Sequence, residues 1–405
     1  MYIINKKGVN GNMDYKKIIS NKAQEIPFSG IRKFFDIAAE MKDCISLGIG
    51  EPDFITPKSF CKAGIESIEN GKTQYTSNCG LLELRQAISK YLKDSIHIEY
   101  NPLTEILVTV GASEGIDLAL RMLMNPGDEI LVPMPSYVSY APCVTVNGGI
   151  VVPINCKAEN QFKITPKELE EVITDKTKAL ILPYPNNPTG AIMERHYLEA
   201  IAPILIKHNI IVISDEIYAE LTYGKHKHVS IAEIDGMREQ TIVLSGFSKA
   251  FAMTGWRVGF VAAAPEFLSI MRKIHQYAIM CAPTASQYCA LSALEISFAN
   301  GFEEVTHMRE EYDKRRTYLV NRLNILGLMC FEPRGAFYAF PCVKSTGLTG
   351  DEFAEKLLYS KKVAVVPGSA FGECGKDFIR ISYAYSIDKI EIALDKIEEF
   401  LQEIK

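Results

Sequence analysis

Short apolar runs recur along the middle of the chain, between about residues 105 and 263, and most are followed by a turn and a longer helical pattern. The runs are rich in Ile, Val and Leu and are almost continuously apolar, as strands are in a sheet that helices cover on both faces. They span 106–110, 129–132, 179–182, 210–214, 241–245 and 258–262. The pattern predicts a mostly parallel α/β sheet.

The pattern changes after about residue 290. A long helical stretch, "EEVTHMREEYDKRRTYLVNRLNILG", ends at Gly327, and the strand-like runs "GAFYAFP", "VAVVPG" and "DFIRISYA" follow it. Apolar residues from Ile390 to Ile404 recur every three or four positions, which predicts a terminal amphipathic helix. These elements indicate a smaller α+β domain, against which the N-terminal "IRKFFDIAAEM" and "ISLGIGEPDF" are expected to pack. The expected limits are 1–58 for an N-terminal arm and part of the small domain, 59–290 for the large domain and 291–405 for the small C-terminal domain.

Length and composition suit a globular protein with a sizeable core, since 47% of the 405 residues are hydrophobic. The 44 basic and 49 acidic residues give a net charge of -5 without a long basic run, so nucleic acid is not an expected partner. The first twenty residues have no continuous apolar stretch, and no segment approaches the roughly 18 apolar residues of a membrane span. A cytoplasmic location without membrane attachment is expected.

The ten cysteines are scattered and include no CxxC pair. Such spacing favours buried free thiols over a disulfide framework or a zinc site. His226 and His228, in "GKHKHVS", stand beside two lysines and indicate a solvated loop rather than a metal site. No metal is expected.

Four of the apolar runs are followed by polar or small residues of unusual character. These are Gly111-Ala112-Ser113, Asn187 in "YPNNPTG", Asp215 in "VISDEIY" and Lys249 in "SGFSKAFAMTGWRVG". Each has an ordinary alternative: a helix start for "GASEG", a tight turn for "NNPTG", a helix cap for Asp215 and an exposed loop position for Lys249. Because ligands of open α/β sheets bind outside the carboxyl ends of the strands, all four groups are predicted to face one crevice.

Together these residue types suit one cofactor. A buried lysine has a pKa below its ordinary value of about 10.4 and becomes a nucleophile towards carbonyls. A carboxylate in a dry pocket needs a cation, which a protonated pyridine nitrogen supplies. A helix N-terminus with small residues, joined by Arg257, is a phosphate site. An amine, a carboxylate and a phosphate cradle indicate pyridoxal 5′-phosphate.

The stretch "GFSKAFAMTGWRVG" is similar to the Schiff-base signature of the class I aminotransferases. From about Gly30 onward the chain resembles the fold-type I pyridoxal phosphate enzymes of the aspartate aminotransferase superfamily. The motifs "GLLELRQAI", "RGAFYAF" and "VAVVPGSAFG" resemble the prokaryotic branch that includes archaeal aromatic-amino-acid aminotransferases. The resemblance implies an α/β, fold-type I transferase with a large, mostly parallel α/β/α domain and a smaller α+β domain formed by the N- and C-terminal parts.

The resemblance also implies roles around the cofactor ring. Lys249 matches the lysine that forms the Schiff base and then moves the substrate's Cα proton. Asp215 matches the partner of the pyridinium nitrogen. Asn187 and Tyr218 match the groups that bond the phenolic oxygen, and Tyr137 matches the aromatic residue that stacks on the ring.

For the phosphate, the resemblance implies a cradle whose members are Ala112, Ser113, Ser248 and Arg257. Tyr75, in "TQYTSNCG", matches a tyrosine that reaches the phosphate bound by the neighbouring subunit, which implies a homodimer with sites at its interface.

For the substrate, Arg380 in "FIRISYA" matches the arginine that binds the α-carboxylate, a task for its planar fork of donors, and Gly50 matches a residue beside that carboxylate. The alternative for Arg380 is a surface ion pair. Phe337 and Tyr338 could line the side-chain pocket or belong to the core.

Two positions depart from patterns in the family. Many relatives have a phosphate-binding serine where this chain has Gly246, so Ser248 or Ser245 would have to compensate. Prokaryotic-type aspartate enzymes carry a lysine for the substrate's distal carboxylate where this chain has Ser113. The second departure argues against a strict preference for aspartate.

The resemblance predicts an aminotransferase that moves the amino group of an L-amino acid to a 2-oxo acid such as 2-oxoglutarate. An aromatic or other neutral amino acid is the favoured donor. Ping-pong kinetics are expected. A C–S β-lyase with the same fold and lysine is the alternative. The pyridoxal phosphate-sensing part of a transcriptional regulator is disfavoured, because only about 30 residues precede the resemblance, too few for a winged helix and linker.

Overall fold

The computed structural model describes residues 14–26 and 40–404, so most of "IRKFFDIAAEM" lies outside the described residues. Twelve strands are present in the described ranges: β1 Ile45–Ser46, β2 Ile106–Thr109, β3 Glu129–Met134, β4 Ile150–Asn155, β5 Thr177–Leu182, β6 Ile211–Asp215, β7 Thr241–Gly246, β8 Gly259–Ala262, β9 Tyr338–Ala339, β10 Val363–Ala364, β11 Val366–Pro367 and β12 Ile379–Ser382. The α-helices of the same ranges are α1 Tyr15–Ile18, α2 Asn21–Glu25, α3 Lys58–Glu69, α4 Leu82–Ile96, α5 Gly111–Leu123, α6 Tyr140–Val146, α7 Pro166–Glu170, α8 Arg195–Lys207, α9 Pro265–Ala278, α10 Thr284–Asn300, α11 Glu303–Ile325, α12 Gly350–Lys361 and α13 Ile387–Glu403.

The central sheet has seven strands in the order β2-β8-β7-β6-β5-β3-β4. Strand β8 runs antiparallel to β2 and β7, and the other neighbours are parallel. The mostly parallel α/β sheet is therefore confirmed, and all six apolar runs form strands. The sequence pattern missed β4, an edge strand whose apolar run "IVVPI" contains Pro153 and is buried only at Ile154.

Helices cover the sheet on both faces. Successive residues of β2 enter opposite core clusters: Val108 packs in the cluster that contains Leu84 and Ile88 of α4, and Leu107 packs in the cluster that contains Ile116 of α5. Alternation along a strand sends successive side chains to opposite faces, so burial on both sides requires apolar residues at every position. This explains the fully buried pattern of β2.

A second core cluster unites the C-terminal elements with part of the N-terminal segment. Strands β11, β12 and β9 form an antiparallel sheet, and β1 pairs in parallel with β10. Leu47 packs in the same core cluster as Tyr312 of α11 and Leu394 of α13. The segment "ISLGI" thus packs in the smaller α+β unit, as expected. The domain limits stay predictions, and the one between residues 290 and 291 lies within α10.

No helix in the part of the chain that the structure describes combines the length and apolar character that a membrane crossing requires.

Gly246, at the position where the resemblance led us to expect a serine, has a packing reason. Gly246 pairs with Gly259 across β7 and β8, and a Cβ on Gly246 would lie 2.8 Å from the Gly259 Cα and 3.1 Å from the Val258 carbonyl oxygen. Both contacts are with backbone, so a side chain could be accepted only if the two strands moved apart. Gly246 therefore permits the close approach of β7 and β8.

We expect Gly246→Ser to lower the free energy of unfolding by about 2 kcal/mol, because overpacking a dense core strains the backbone. The matched control is Gly255→Ser, since nothing lies within 4 Å of a Cβ at Gly255. The control should change the free energy of unfolding by less than about 0.5 kcal/mol. Denaturant titration measures both values, and equal values for the two variants would contradict the steric explanation.

Candidate active site

A cavity of about 710 Å³ lies where β6 and β7 end and the small unit meets the large sheet. All predicted site residues except Tyr75 line this cavity. They come from five separate segments of the large unit and two segments of the small unit. The residues are Gly50, Ala112, Ser113, Tyr137, Asn187, Asp215, Tyr218, Ser248, Lys249, Arg257 and Arg380. The predicted single crevice is therefore present. Tyr75 is 80% exposed and is not among the described residues that line the cavity.

Lys249 lies in the turn that follows β7. Its Nζ donates a hydrogen bond of 2.6 Å to the Gly50 carbonyl oxygen and lies 5.6 Å from the centre of the Tyr218 ring. Burial lowers the pKa of Lys249 to about 8, and Arg380 and Arg257 act in the same direction against the opposing charge of Glu51. A lysine with such a pKa is partly neutral near pH 7 and can attack a carbonyl. An exposed loop position is thus excluded.

Asp215 ends β6 and is only 6% exposed. Its carboxylate accepts hydrogen bonds from the Tyr140 hydroxyl at 2.8 Å and from the Ile217 amide at 3.3 Å. Burial raises the pKa of Asp215, and these hydrogen bonds only partly oppose that shift. Within the described residues the carboxylate has no salt-bridge partner, so it lacks a cation. Residues 216–221 form no helix, and the helix-cap alternative is wrong.

Arg380 on β12 is 3% exposed, so the alternative of a surface ion pair is wrong. Its Nη1 donates to Asn187 Oδ1 at 2.9 Å, and its Nη2 donates to the Gly48 carbonyl oxygen. The Nε is buried and has no hydrogen-bond partner among the described residues. Burial lowers the pKa of Arg380, as expected for a cation without a counter-ion. A carboxylate in the cavity would supply that counter-ion.

Two tyrosines border the same space. The hydroxyls of Tyr218 and Tyr338 lie 2.9 Å apart, and the Tyr338 ring lies under the Arg380 guanidinium, 4.5 Å from its carbon. Tyr338 therefore belongs to the cavity wall. Phe337 packs in the core against Tyr312, and its ring lies 5.7 Å from Lys249 Nζ.

The residues predicted to hold a phosphate lie around the N-terminus of α5. Ala112 and Ser113 lie in the first turn of that helix, which has no side-chain cap from the described residues, and amide groups at such an N-terminus can bind an anion. Gly111 has φ +73°, and a Cβ there would lie 2.6 Å from Arg257 Nη2. Glycine is thus required for the guanidinium to approach the helix. Ser248 lines the cavity beside these residues, whereas the Ser245 hydroxyl donates to the Glu216 carbonyl oxygen at 3.3 Å and does not line it.

The sequence analysis did not identify Tyr140 and Glu51 as residues of the site, and it predicted the wrong environment for His228. Tyr140, which bonds Asp215, lies three residues after Tyr137 in "PSYVSY", and a second tyrosine in so short a motif was the available signal. Glu51 faces Lys249 from the N-terminal segment, and nothing in the sequence indicated that proximity. The prediction of a solvated loop is wrong for His228, whose side chain is 12% exposed and pairs with the buried Glu216.

Comparison with known proteins shows which protein family this chain matches. Residues 42–397 match the model of the family described as aminotransferase class I and II. The chain belongs to that family.

Relatives of this aminotransferase align over nearly their whole length. A putative aminotransferase of Bacillus subtilis is 49% identical over 95% of this chain and 98% of its own. An aspartate aminotransferase of Pyrococcus abyssi is 48% identical over 96% of this chain and 99% of its own. The crystal structure of an aromatic aminotransferase from Pyrococcus horikoshii superimposes with a TM-score of 0.87 at 45% identity, covering 92% of this chain and 99% of that one. The fold-type I architecture is confirmed, and the lyase alternative has no support.

Aminotransferases of this family use pyridoxal 5′-phosphate. The cavity fits that group on three points: a buried carboxylate at Asp215 that has no salt-bridge partner in the described part of the chain, a partly neutral lysine amine, and a helix N-terminus beside Arg257. The cofactor's ring nitrogen, aldehyde and phosphate are the complementary groups. Asp215, Lys249 and the cradle at α5 are the residues that would hold them.

Proposed function

We propose that this aminotransferase takes the amino group of an aromatic or other neutral L-amino acid and passes it to a 2-oxo acid such as 2-oxoglutarate. The observation that carries the proposal is the convergence of Lys249, Asp215 and Arg380 on one cavity. Ser113 supports a neutral donor, because it offers no cation for a distal carboxylate at the N-terminus of α5. The names of the relatives do not decide the donor, since they include both aspartate and aromatic aminotransferases.

In this proposal the position of each residue in the cavity determines which part of the substrate or cofactor it binds. Arg380 binds the substrate α-carboxylate beside Gly50, and Lys249 Nζ would take up the proton that leaves the substrate Cα and hold it for transfer within the site. Asp215 offsets positive charge on the ring nitrogen, Asn187 and Tyr218 donate to the phenolic oxygen, and Tyr137 packs on the ring. Ala112, Ser113, Ser248 and Arg257 bind the phosphate. The cofactor, when bound, supplies an electron sink for the charge that develops at Cα.

A panel of L-amino acids assayed against 2-oxoglutarate tests the donor. We expect phenylalanine, tyrosine or another neutral amino acid to give a kcat/KM at least about tenfold above that of aspartate, because an unpaired distal carboxylate is costly to desolvate. A higher kcat/KM for aspartate would contradict the proposal for the donor and leave the aminotransferase activity intact.

Arg380→Lys tests the substrate site. We expect kcat/KM to fall by about 100-fold, because lysine cannot present two parallel donors to a carboxylate, while cofactor affinity changes less than about threefold. The control is Arg322→Lys on α11, where the side chain pairs with Asp395 and Glu398 at the surface. Equal losses of substrate and cofactor affinity would show that Arg380 has a structural role.

We also propose a homodimer in the cytoplasm. The 80% exposure of Tyr75 supports an interface, because it leaves that side chain accessible to a neighbouring subunit. The ten cysteines, all free thiols, support a reducing compartment. Sedimentation should give twice the mass of one chain.

Mixing two inactive variants tests whether Tyr75 acts across that interface. A hybrid of Lys249→Ala and Tyr75→Ala subunits has one site with both residues intact if Tyr75 serves the neighbouring subunit. Activity should therefore rise when the variants are unfolded together and refolded as a mixture. No gain over the separate variants would mean that Tyr75 serves its own subunit or no site.

A further inference from the structure

A buried carboxylate lies directly behind the predicted cofactor site. Glu216 follows Asp215 in "SDEIY" but is only 2% exposed and does not line the cavity. Its Oε1 accepts hydrogen bonds from the hydroxyls of Ser214 at 2.7 Å and Ser230 at 2.6 Å. Its Oε2 lies 2.8 Å from Nε2 of His228. Three side chains thus satisfy a carboxylate that the proposed chemistry does not use.

Glu216 also joins the two strand ends that carry the site. Its backbone amide donates to the Leu244 carbonyl oxygen of β7 at 2.8 Å, and its own carbonyl accepts from the Ser245 hydroxyl at 3.3 Å. Asp215 precedes Glu216, and Lys249 follows Ser245 by four residues. A shift of Glu216 would therefore alter the distance between the carboxylate and the amine.

The charge on His228 depends on several acids around it. Burial alone would lower the pKa of His228, but the charge and hydrogen bond of Glu216, with smaller contributions from Glu233 and Glu220, raise it above its ordinary value. Glu233 is itself paired with Arg195 at 2.8 Å, which leaves Glu216 as the direct partner of the imidazole.

Glu220 is held by the Tyr91 hydroxyl at 2.7 Å and does not bond His228. Besides burial, the charge of Glu216 contributes to the raised pKa of its neighbour Asp215, because a nearby negative charge disfavours the ionised form of the Asp215 carboxyl. A cation at His228 offsets that repulsion.

We propose that His228 and Glu216 form a positioning pair for the cofactor site. In this pair His228 neutralises the charge of Glu216 and fixes its orientation. The ends of β6 and β7 then hold Asp215 and Lys249 at the spacing that the cofactor requires. Neither residue touches the cavity, and both act through Asp215 and the strand ends. This inference rests on the proposed roles of Asp215 and Lys249.

Two measurements on the purified protein test the pair: the dissociation constant of pyridoxal 5′-phosphate, and the midpoint of the pH titration of the bound cofactor's visible absorbance. We expect His228→Gln, which keeps a donor but removes the charge, to weaken cofactor affinity about tenfold. The midpoint should move to higher pH by at least about half a pH unit, because an uncompensated Glu216 anion favours positive charge in the cavity. In the double variant Glu216→Gln with His228→Gln, the midpoint should return to within about 0.2 pH unit of wild type, because the charge balance is restored.

The control is Glu105→Gln, which breaks a partly buried pair with Arg238 at the opposite end of the sheet. It should lower the melting temperature and leave both cofactor measurements unchanged. If His228→Gln behaves like this control, the pair is merely structural and the proposal is overturned. If His228→Gln fails to fold, Ser230→Ala replaces it, and unchanged cofactor affinity in that variant overturns the proposal. A wild-type protein without a lysine-dependent visible band would instead refute the role of Lys249.

Discussion

Lys249→Ala is expected to lower kcat by about 10⁴-fold or more and to abolish the visible absorbance that the lysine gives to the bound cofactor. The amine both forms the covalent bond and moves the Cα proton, so its loss removes two functions at once. The fold should persist, because within the described ranges Lys249 Nζ makes one hydrogen bond, to the Gly50 carbonyl oxygen, and lines the cavity. Absorbance spectra, steady-state rates and a thermal melt measure the three outcomes.

Lys207→Ala on α8 is the matched control, because that lysine is exposed and lies away from the cavity lining. It should retain wild-type rate and spectrum. A Lys249→Ala protein that kept both its absorbance band and its turnover would show that another amine carries the chemistry.

The same lysine predicts a pH dependence. Because burial lowers the pKa of Lys249 to about 8, the neutral amine becomes more abundant as pH rises towards that value. The rate at which the apoenzyme captures added cofactor should therefore increase by about tenfold per pH unit below pH 8 and level off above it. A stopped-flow absorbance series measures this rate, and a rate that kept rising to pH 10 would indicate an ordinary exposed lysine.

Asp215→Asn should lower kcat by about 10³-fold, because a neutral amide cannot offset positive charge on the ring nitrogen. The apoenzyme should be at least as stable as wild type at pH 7. Burial raises the pKa of Asp215, so its ionised form is disfavoured in the folded state; its contribution to stability is complete below the unfolded pKa and is lost as the pH rises from there through the folded pKa. Asparagine keeps an oxygen that can accept from Tyr140 without that cost.

Steady-state kinetics and thermal melts of the apoenzyme check these opposite effects. Asp395→Asn, at an exposed pair with Arg322, serves as the control and should change neither. A large loss of stability in Asp215→Asn would mean that the carboxylate stabilises the fold, and would contradict the role of a group that binds a cation of the cofactor.

The strands and the site were predictable to different degrees. The six predicted strands were evident because burial on two faces demands continuous apolar residues, whereas β4 contains Pro153 and is buried only at Ile154. The cavity residues after β6 and β7 could be predicted because parallel strands bring their carboxyl ends together. Phe337 and Tyr338 could not be separated, since adjacent strand residues point to opposite sides and the sequence does not tell which side faces the cavity.

His228 shows most plainly what the sequence left open. Two lysines beside it indicated solvent, yet its imidazole bonds a carboxylate that lies twelve residues earlier in the chain. Side chains brought together by distant loops have no local pattern, because their contact depends on how the whole chain packs.

By itself the sequence determined the sheet, the family and the residue types of the site, because these depend on local periodicity and on motifs of fixed spacing. Only the tertiary structure decided that Tyr140 bonds Asp215, that the buried Arg380 Nε has no hydrogen-bond partner among residues 14–26 and 40–404, and that Gly246 admits no side chain. Each of these depends on distances of a few ångströms between segments far apart in the chain, and such distances are set by the packing of β-strands and helices against one another.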